Sequence, residues 1–233
     1  MKNFVGFASN GEFSVGCTGQ TVYLYDKQNC EIAKFKDIIY GYTPMISPNG
    51  KIFVVKSKEG RLAVYSLGTF SLIKKFRYSK LNASQDDGFC FSPDGKFFIN
   101  IERHRTLLQT KLSIYNTDDF SLHKQLDFGE KTMLEYIEFD METQSYYLLG
   151  FMRNAEGIID HGFVAKLEDD RLSYITPISR NEHEFYRDYM GTKIMGFTHK
   201  MSPWTQTDFD LDELRSMNHT LAKLFKYYQK REK

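Results

Sequence analysis

The sequence has little of several things that would decide its class. Its 233 residues include one Trp, five Pro and three Cys, and 31 basic residues almost balance 30 acidic ones. The near-zero net charge argues against a general nucleic-acid binder, which needs a basic surplus to neutralise phosphates. Cys17, Cys30 and Cys90 are an odd number without metal-ligand spacing, which favours free thiols in a reducing compartment.

Long apolar runs are also absent. The N-terminus has no secretory signal, and no run approaches the ~18 apolar residues of a membrane span. We therefore expect a soluble, cytoplasmic protein without a cofactor, a nucleic-acid partner or a membrane partner. What the chain has in quantity is 20 Phe and 15 Tyr, a supply of aromatic residues that suits half-buried strands.

Two short phrases recur along the chain in a fixed order. The first is a turn, because residues 46–51 (ISPNGK) return as residues 91–96 (FSPDGK), with a weaker copy at residues 7–12 (FASNGE). In such a turn the Pro presets φ and the Gly supplies a positive φ. The second phrase is an alternating strand that contains Tyr, and its copies are residues 22–26, 62–66 and 112–116.

The spacing of the turns predicts the fold. Gly11, Gly50 and Gly95 lie 39 and 45 residues apart, and a period of about 40–50 residues is typical of a propeller blade of four strands. We therefore predict an all-β, β-propeller-like array of four-stranded antiparallel blades, about five in number with the last one irregular, followed by a C-terminal α-helix. The predicted units are 1–37, 38–78, 79–128, 129–178 and 179–199 in one domain over 1–199, with 200–233 as a helical cap on it.

Two details of the later units are part of this prediction. The fourth unit is expected to have a long connection over residues 153–161, and the fifth to be half present as strands over 185–190 and 193–197. In the cap, Asp210 and Glu213 form a capping box. An apolar stripe follows at helical spacing, and its members are Leu211, Leu214, Met217, Leu221, Leu224, Phe225 and Tyr228.

So few units leave three arrangements open. The array forms a five-bladed ring, or an open arc capped by the C-terminal helix, or an arc completed by another chain. We favour the helix on the open end, because an exposed apolar sheet face is avoided in soluble proteins. A monomer is expected, or a homodimer if the array is open.

The two phrases resemble the inner turn and the third strand of WD-repeat (WD40-like) and related bacterial propellers, over residues 1–128 and more weakly over 129–199. Where that family's third strand ends in Trp-Asp, this chain has Tyr25-Asp26, Tyr65-Ser66 and Tyr115-Asn116. The resemblance implies a β-propeller used as a binding surface or scaffold. It implies no particular activity, because propellers carry many functions.

A basic and aromatic rim is the predicted binding surface for a protein partner. By topology, the loops after the second strand of each unit and the connections between units share one side of the array. The loop residues are Arg103, His104 and Arg105 in unit three, Lys56, Lys58 and Arg61 in unit two, and Arg153 in unit four, with Tyr40 and Tyr42 in the connection to unit two. Exposed Tyr and Arg are typical anchors of protein interfaces.

Two other functions stay open. A propeller-fold hydrolase or lyase, with or without a metal, would use His161 and His183 with neighbouring carboxylates. The sequence contains no nucleophile elbow and no phosphate-binding loop, which favours a non-enzymatic binding module. Within that class, a dedicated inhibitor such as an immunity protein against a toxin is the third reading.

Overall fold

Four antiparallel sheets make up most of the described chain. The computed structural model describes residues 2–78, 88–104, 109–195 and 220–231; the side chains of His104 and of residues 191–195 lie outside this description. Within these ranges each sheet contains four strands, and consecutive strands are hydrogen-bonded neighbours. The predicted array of four-stranded antiparallel blades is thus confirmed.

The strands follow one another along the chain, sheet by sheet. Sheet one holds β1 (Gly6–Ser9), β2 (Phe13–Cys17), β3 (Val22–Asp26) and β4 (Glu31–Phe35). Sheet two holds β5 (Gly41–Ile46), β6 (Ile52–Ser57), β7 (Arg61–Ser66) and β8 (Ser71–Arg77). Sheet three holds β9 (Phe89–Phe91), β10 (Phe97–His104), β11 (Gln109–Asn116) and β12 (Leu122–Asp127). Sheet four holds β13 (Thr132–Asp140), β14 (Ser145–Arg153), β15 (Ile159–Glu168) and β16 (Arg171–Ile178).

The repeated turn phrase has the same geometry in sheets two and three. Ser92 Oγ donates to Asp94 Oδ1 at 2.7 Å and accepts from Phe97 N at 2.9 Å. In sheet two, Ser47 Oγ donates to the Asn49 side chain at 2.8 Å and accepts from the backbone N–H of residue 52 at 3.1 Å. Identical local hydrogen bonds therefore explain why the phrase is repeated.

Neighbouring turns also touch one another. A β-carbon added to Gly95 would lie 2.9 Å from Asn49 Nδ2, and one added to Gly50 would lie 3.7 Å from Asn10 Nδ2. Each turn asparagine thus contacts the turn glycine of the next sheet. Both glycines have φ near +70°, at 70° and 66°, a conformation that favours Gly.

The core consists of layers between successive sheets. Sheet two is buried on both faces, because Val54 faces sheet three while Phe53 and Val55 face sheet one. Further apolar layers join sheet three to sheet four and sheet four to the helices. This layering is the packing of propeller blades, and it explains why the second strands are almost continuously apolar.

Helix α1 (Arg180–Met195) replaces the predicted fifth unit. It contacts β13, β14 and β15 of sheet four and also β1 and β5 of sheets one and two. The predicted strands at 185–190 and 193–197 are corrected as far as residue 195; residues 196 and 197 lie outside the described residues. The physical reason is a capping box, in which Ser179 N donates to Glu182 Oε2 at 3.0 Å and Glu182 N to Ser179 Oγ at 3.3 Å.

Helix α2 (Leu221–Arg231) packs on sheet four. Leu221, Leu224 and Tyr228 are buried there, and the helix contacts all four strands of this sheet. Its first turn begins after Thr220, whose Oγ1 accepts from Lys223 N at 3.2 Å. The predicted capping box at Asp210 and Glu213, like Leu211, Leu214 and Met217, lies outside the described residues.

The predicted long connection in sheet four is a tight turn. β14 ends at Arg153 and β15 begins at Ile159, so five residues join them. Asn154 Oδ1 accepts from Glu156 N at 3.0 Å and from Ile158 N at 2.9 Å, and Gly157 has a φ of 79°. The segment is therefore a side-chain-stabilised hairpin turn rather than a long loop.

The first strands of all four sheets surround one axial cavity. It has a volume of about 680 Å³, and its lining includes β1, β5, β9, β13 and the start of α2. The array has two faces, one at each end of the cavity axis. We call the face with the loops between second and third strands the rim, and the face with the turns between first and second strands the turn face.

No helix among the described residues is long and apolar enough to cross a membrane.

Candidate functional site

The rim brings together the connection before β5 and the loop after β6. Ile39 is 50% exposed and Tyr40 48% exposed. Lys58 N donates to Tyr40 O at 3.0 Å, and Lys58 Nζ lies 4.5 Å from the centroid of the Tyr42 ring. We call Ile39, Tyr40, Tyr42 and Lys58 the Tyr40 patch. It combines exposed apolar surface with an aromatic ring and a cation.

The backbone of the Tyr40 patch is constrained. Tyr40 has a φ of 54°. This left-handed backbone conformation is common for Gly but uncommon for residues with a bulky side chain. Gly41 forms an isolated bridge with Gly19 of sheet one, and the Tyr42 hydroxyl lies over Gly19. Contacts to two sheets thus hold the backbone at Tyr40 in place, and strain of this kind is a reason to suspect a function.

Arg61 lies beside this patch, but a neighbouring carboxylate balances its charge. Its guanidinium is 3.4 Å from Glu59 Oε2, and Arg77 is 3.9 Å from the same oxygen. These pairs are partly exposed, so each adds little stability. Lys58 is the lysine of this loop that belongs to the Tyr40 patch. Lys56, expected on the same loop, is instead 1% exposed, and its Nζ donates to Ile101 O at 2.7 Å.

Arg103 and Arg153 meet around one aromatic ring at the sheet-four end of the rim. Their guanidinium carbons lie 6.0 Å and 5.3 Å from the centroid of Phe151. Arg153 also donates to Gly157 O. Burial, and then the charge of Arg103, lower the pKa of Arg153. Two like charges therefore lie close together, half-buried, which favours a negatively charged partner. Arg105 lies outside the described residues.

A buried acid–base contact, which the sequence pattern does not indicate, lies beneath these arginines. His183 Nε2 is 2.6 Å from Glu135 Oε2, and Arg103 is 3.4 Å from Glu135 Oε1. Burial would raise the pKa of Glu135, but the hydrogen bond and charge of His183, with Arg103 and Arg187, lower it overall. Gly162 makes room for the imidazole, because a β-carbon there would lie 2.3 Å from His183 Cβ.

A second buried carboxyl, Glu102, is hydrogen-bonded within sheet three. Tyr115 donates its hydroxyl proton to Glu102 Oε1 at 2.6 Å, and Asn100 Nδ2 lies 3.3 Å from the same oxygen. Burial raises the pKa of Glu102 despite these hydrogen bonds and the charge of Lys56. Glu102 and Glu135 thus lie in different layers, and each is held by its own partners within the fold.

The residues of the alternative metal site are not brought together. His183 faces the side of β15 towards which the Gly162 β-carbon would point, and His161 is the next residue along the strand. Successive side chains point to opposite faces of a strand, so the sheet separates the two imidazoles. His161 Nδ1 is 2.9 Å from Asp160 Oδ2 at an exposed position. The described part of the chain contains no cluster of three His, Cys, Asp or Glu residues that could hold a metal ion.

Comparisons with known proteins bear on the fold. No protein-family model matches the sequence, and no curated protein does. Among solved structures, the chain is similar to hydrazine synthase from Kuenenia stuttgartiensis, with a TM-score of 0.58 and 13% sequence identity. The match covers 76% of this chain and 51% of the other, so the chain spans about half the length of that structure. At this identity the likeness shows a shared β-propeller-type fold and nothing of the activity.

Proposed function

We propose that this protein is a non-enzymatic, WD-repeat-like binding module that holds an acidic segment of a protein partner on its rim. The Tyr40 patch is the central contact, and the Arg103–Arg153 pair around Phe151 is a second one. The observation that carries the proposal is the exposure of Ile39 and Tyr40 beside Lys58, on a backbone that contacts two sheets. Rigid aromatic anchors next to cations are typical of residues that dominate binding energy.

The chemistry of the two contacts favours an acidic partner. Lys58 and the two arginines are the basic groups, and Arg103 is the one that the fold already pairs with a carboxylate. Acidic side chains of a partner would therefore meet an excess of positive charge at both places. Such complementarity speeds association and makes it sensitive to salt. The repeated turn hydrogen bonds at Ser47 and Ser92 support the WD-repeat-like assignment.

The experiment compares capture by three immobilised proteins from a lysate of the source cells. They are the wild type, the double variant Ile39→Ser/Tyr40→Ala, and the control Tyr174→Ala. Tyr174 is a matched control because it is 64% exposed and has a φ of 50°, but it lies on the outer strand β16. A partner retained by the wild type and the control is then purified and titrated against all three.

We expect the double variant to weaken binding by about 2 kcal/mol, or roughly 30-fold, as for a hot-spot anchor. Lys58→Glu should slow association and reduce its salt dependence. Equal binding by the wild type and the double variant would exclude the Tyr40 patch. Measurable turnover of a small substrate that survives the double variant would instead support the hydrolase or lyase reading.

A further inference from the structure

The segment before β1 lies across the outward face of sheet one. Val5 N donates to Cys17 O at 2.7 Å, which extends the pairing of β1 with β2 by one residue. Before this point the chain crosses the face of the sheet, and a β-carbon added to Gly16 would lie 2.6 Å from the Phe4 ring. We call residues 2–4 the strap. Gly16 makes room for it, because any larger residue would collide with the Phe4 ring.

The face beneath the strap is aromatic. Side chains alternate between the two faces of a strand, and Val22 and Leu24 of β3 are buried in the layer against sheet two. Tyr23 and Tyr25 therefore lie on the outward face, and both are partly exposed. Among the described elements, neither α1 nor a strand of sheet four has a substantial contact with β3. The strap therefore covers the two tyrosine rings in part, and solvent reaches the remainder.

The strap places a cation on these rings. Lys2 Nζ lies 3.9 Å from the centroid of the Tyr23 ring and 5.6 Å from that of the Tyr25 ring. It also donates to the Tyr25 hydroxyl at 3.3 Å and forms an ion pair with Glu31 of β4. The hydrogen bond with Glu31 raises the pKa of Lys2. Two aromatic rings, a hydroxyl and a carboxylate thus converge on one ammonium group, which is the chemistry of a cation site.

An aromatic residue of the strap lies beside this cation. The centroid of the Phe4 ring is 6.1 Å from that of Tyr23 and 6.0 Å from that of Tyr25. A lysine and an aromatic residue two positions apart therefore fit the face together. Lys34, which is paired with Tyr23 in the register of β3 and β4, lies on the same face and would repel a second cation. The face thus holds one ammonium group, next to Glu31.

The contacts of Lys2 are weak enough to be exchanged. The side chains of Lys2 and Glu31 are 41% and 37% exposed, and an ion pair at such exposure adds little stability. β1 begins at Gly6, so release of the strap leaves the pairing of the four strands intact. A competing segment could therefore replace the strap without unfolding the sheet.

We propose that the outward face of sheet one is a docking site for a segment of a protein partner with a lysine two residues from an aromatic residue, and that the strap occupies this site in the free protein. The partner's segment places its lysine at Tyr23, Tyr25 and Glu31. Its aromatic residue takes the position of Phe4 over Gly16. The strap competes at a high effective concentration because it is linked to the sheet, so the site admits only a segment that makes these contacts better.

The test uses an acetylated and amidated peptide with the sequence of residues 2–6 (KNFVG) as the probe. Ligand-observed NMR at pH 7 measures its binding to the full chain, as wild type and as Lys2→Ala/Phe4→Ala, which lacks the two strap side chains. We expect the variant to bind the peptide at least about tenfold more tightly than the wild type does, because the internal competitor is removed. The same peptide with norleucine in place of lysine should bind about fivefold more weakly. Equal binding of the two peptides, or equal binding by variant and wild type, would overturn the proposal.

Further substitutions in this background locate the site. Glu31→Gln and Tyr23→Ala should each weaken peptide binding about fivefold, because each removes a contact of the ammonium group. Glu12→Gln is the matched control, since Glu12 is an exposed carboxylate in the β1–β2 turn of the same sheet, and it should leave the affinity unchanged. If the double variant does not fold, Lys2→Ala alone takes its place and should still bind the peptide more tightly than the wild type. Peptide binding that is insensitive to both Glu31→Gln and Tyr23→Ala would contradict the assignment.

This proposal does not depend on the function proposed for the rim. The rim is proposed to bind acidic groups, whereas the face of sheet one binds a basic one. Ile39→Ser/Tyr40→Ala, added to the strap variant, should therefore leave peptide binding unchanged. Conversely, Lys2→Ala/Phe4→Ala should keep the acidic partner of the rim. Failure of one proposal is thus visible without failure of the other.

Discussion

At the scale of single residues, Glu135 and His183 form a buried hydrogen-bonded contact between sheet four and α1. Glu135 is 5% exposed and His183 fully buried. Three groups face the carboxylate from two elements, namely His183 and Arg187 of α1 and Arg103 of β10. A buried contact of this kind gives stability only while both partners are present, because removal of one leaves buried polar atoms of the other without their hydrogen bond.

We therefore predict that Glu135→Gln lowers the free energy of unfolding by about 3–5 kcal/mol at pH 7. The pKa of Glu135 is lowered from its ordinary value of 4.5 in the folded protein. Its contribution is thus present above about pH 4.5 and is lost as the pH falls through the folded-state pKa. Urea unfolding at pH 7 and pH 4 should show the difference between variant and wild type shrinking at the lower pH. A difference that grew in acid would contradict the assignment, and Glu142→Gln serves as the exposed control.

The role of a single residue can be predicted from the sequence when its partners lie close to it in the chain. Ser92 and Asp94 are explained by hydrogen bonds within five residues, so their roles could be predicted from the turn phrase. Arg103 was expected to be a rim residue free to meet a partner, yet its carboxylate partner is 32 residues away in sheet four. Long-range partners of this kind depend on how the sheets stack, and no local pattern in the chain encodes them.

At the scale of elements, α1 shows why a repeat can mislead. Four units in a row favour a fifth, and residues 185–190 (FYRDYM) are aromatic enough to be interpreted as a strand. Two local signals nevertheless favour a helix. Ser179 and Glu182 have the spacing of a capping box, and the buried Phe185, Tyr186 and Met190 recur at helical intervals. The helix could be predicted from these five residues once a further blade was no longer assumed.

Helix α2 contributes to stability through its buried face, as its apolar stripe indicates. Leu224 is 1% exposed among Tyr147, Leu149 and Val164 of sheet four. We predict that Leu224→Ala lowers the free energy of unfolding by about 2–5 kcal/mol, because it leaves a cavity in this layer. The neighbouring exposed substitution Lys223→Ala should change it by less than about 0.5 kcal/mol. Thermal and urea unfolding measure both, and similar values for the two variants would mean that α2 is not docked on sheet four.

At the scale of the whole molecule, α1 spans the place between the last sheet and the first two. It packs on β15 and its neighbours and also contacts β1 and β5. A helix therefore lies between the first and the last sheet of the array, where a further blade would otherwise be. The overall order of sheets was predictable from the repeat, because each unit forms its own sheet. The closing element was not, because the contacts of α1 with β1 and β5 have no counterpart in the repeat.

This arrangement predicts a long-range effect on hydrogen exchange. Phe185 is 2% exposed in the layer between α1 and sheet four. Phe185→Ala should loosen α1, and the amides of β1 should then exchange faster with deuterium while those of β11 keep their protection. The control Leu126→Ala, in the layer between sheets three and four, should affect β11 more than β1. Equally faster exchange in β1 and β11 of both variants, or unchanged exchange of β1 in Phe185→Ala, would show that α1 does not link the first sheet to the last.

The contacts between neighbouring turns have a consequence for how such a chain grows. The turn of sheet two carries Asn49, which contacts Gly95 of the following sheet, and Gly50, which faces Asn10 of the preceding one. A duplicate of residues 38–78 inserted after the original would therefore carry both the Asn and the Gly that form these contacts. As far as these turn contacts are concerned, the second unit is therefore self-compatible. The turn of the fourth unit, residues 141–144 (METQ), has no Gly. It therefore cannot form this contact between turns, and lengthening of the array by such contacts would have to stop there.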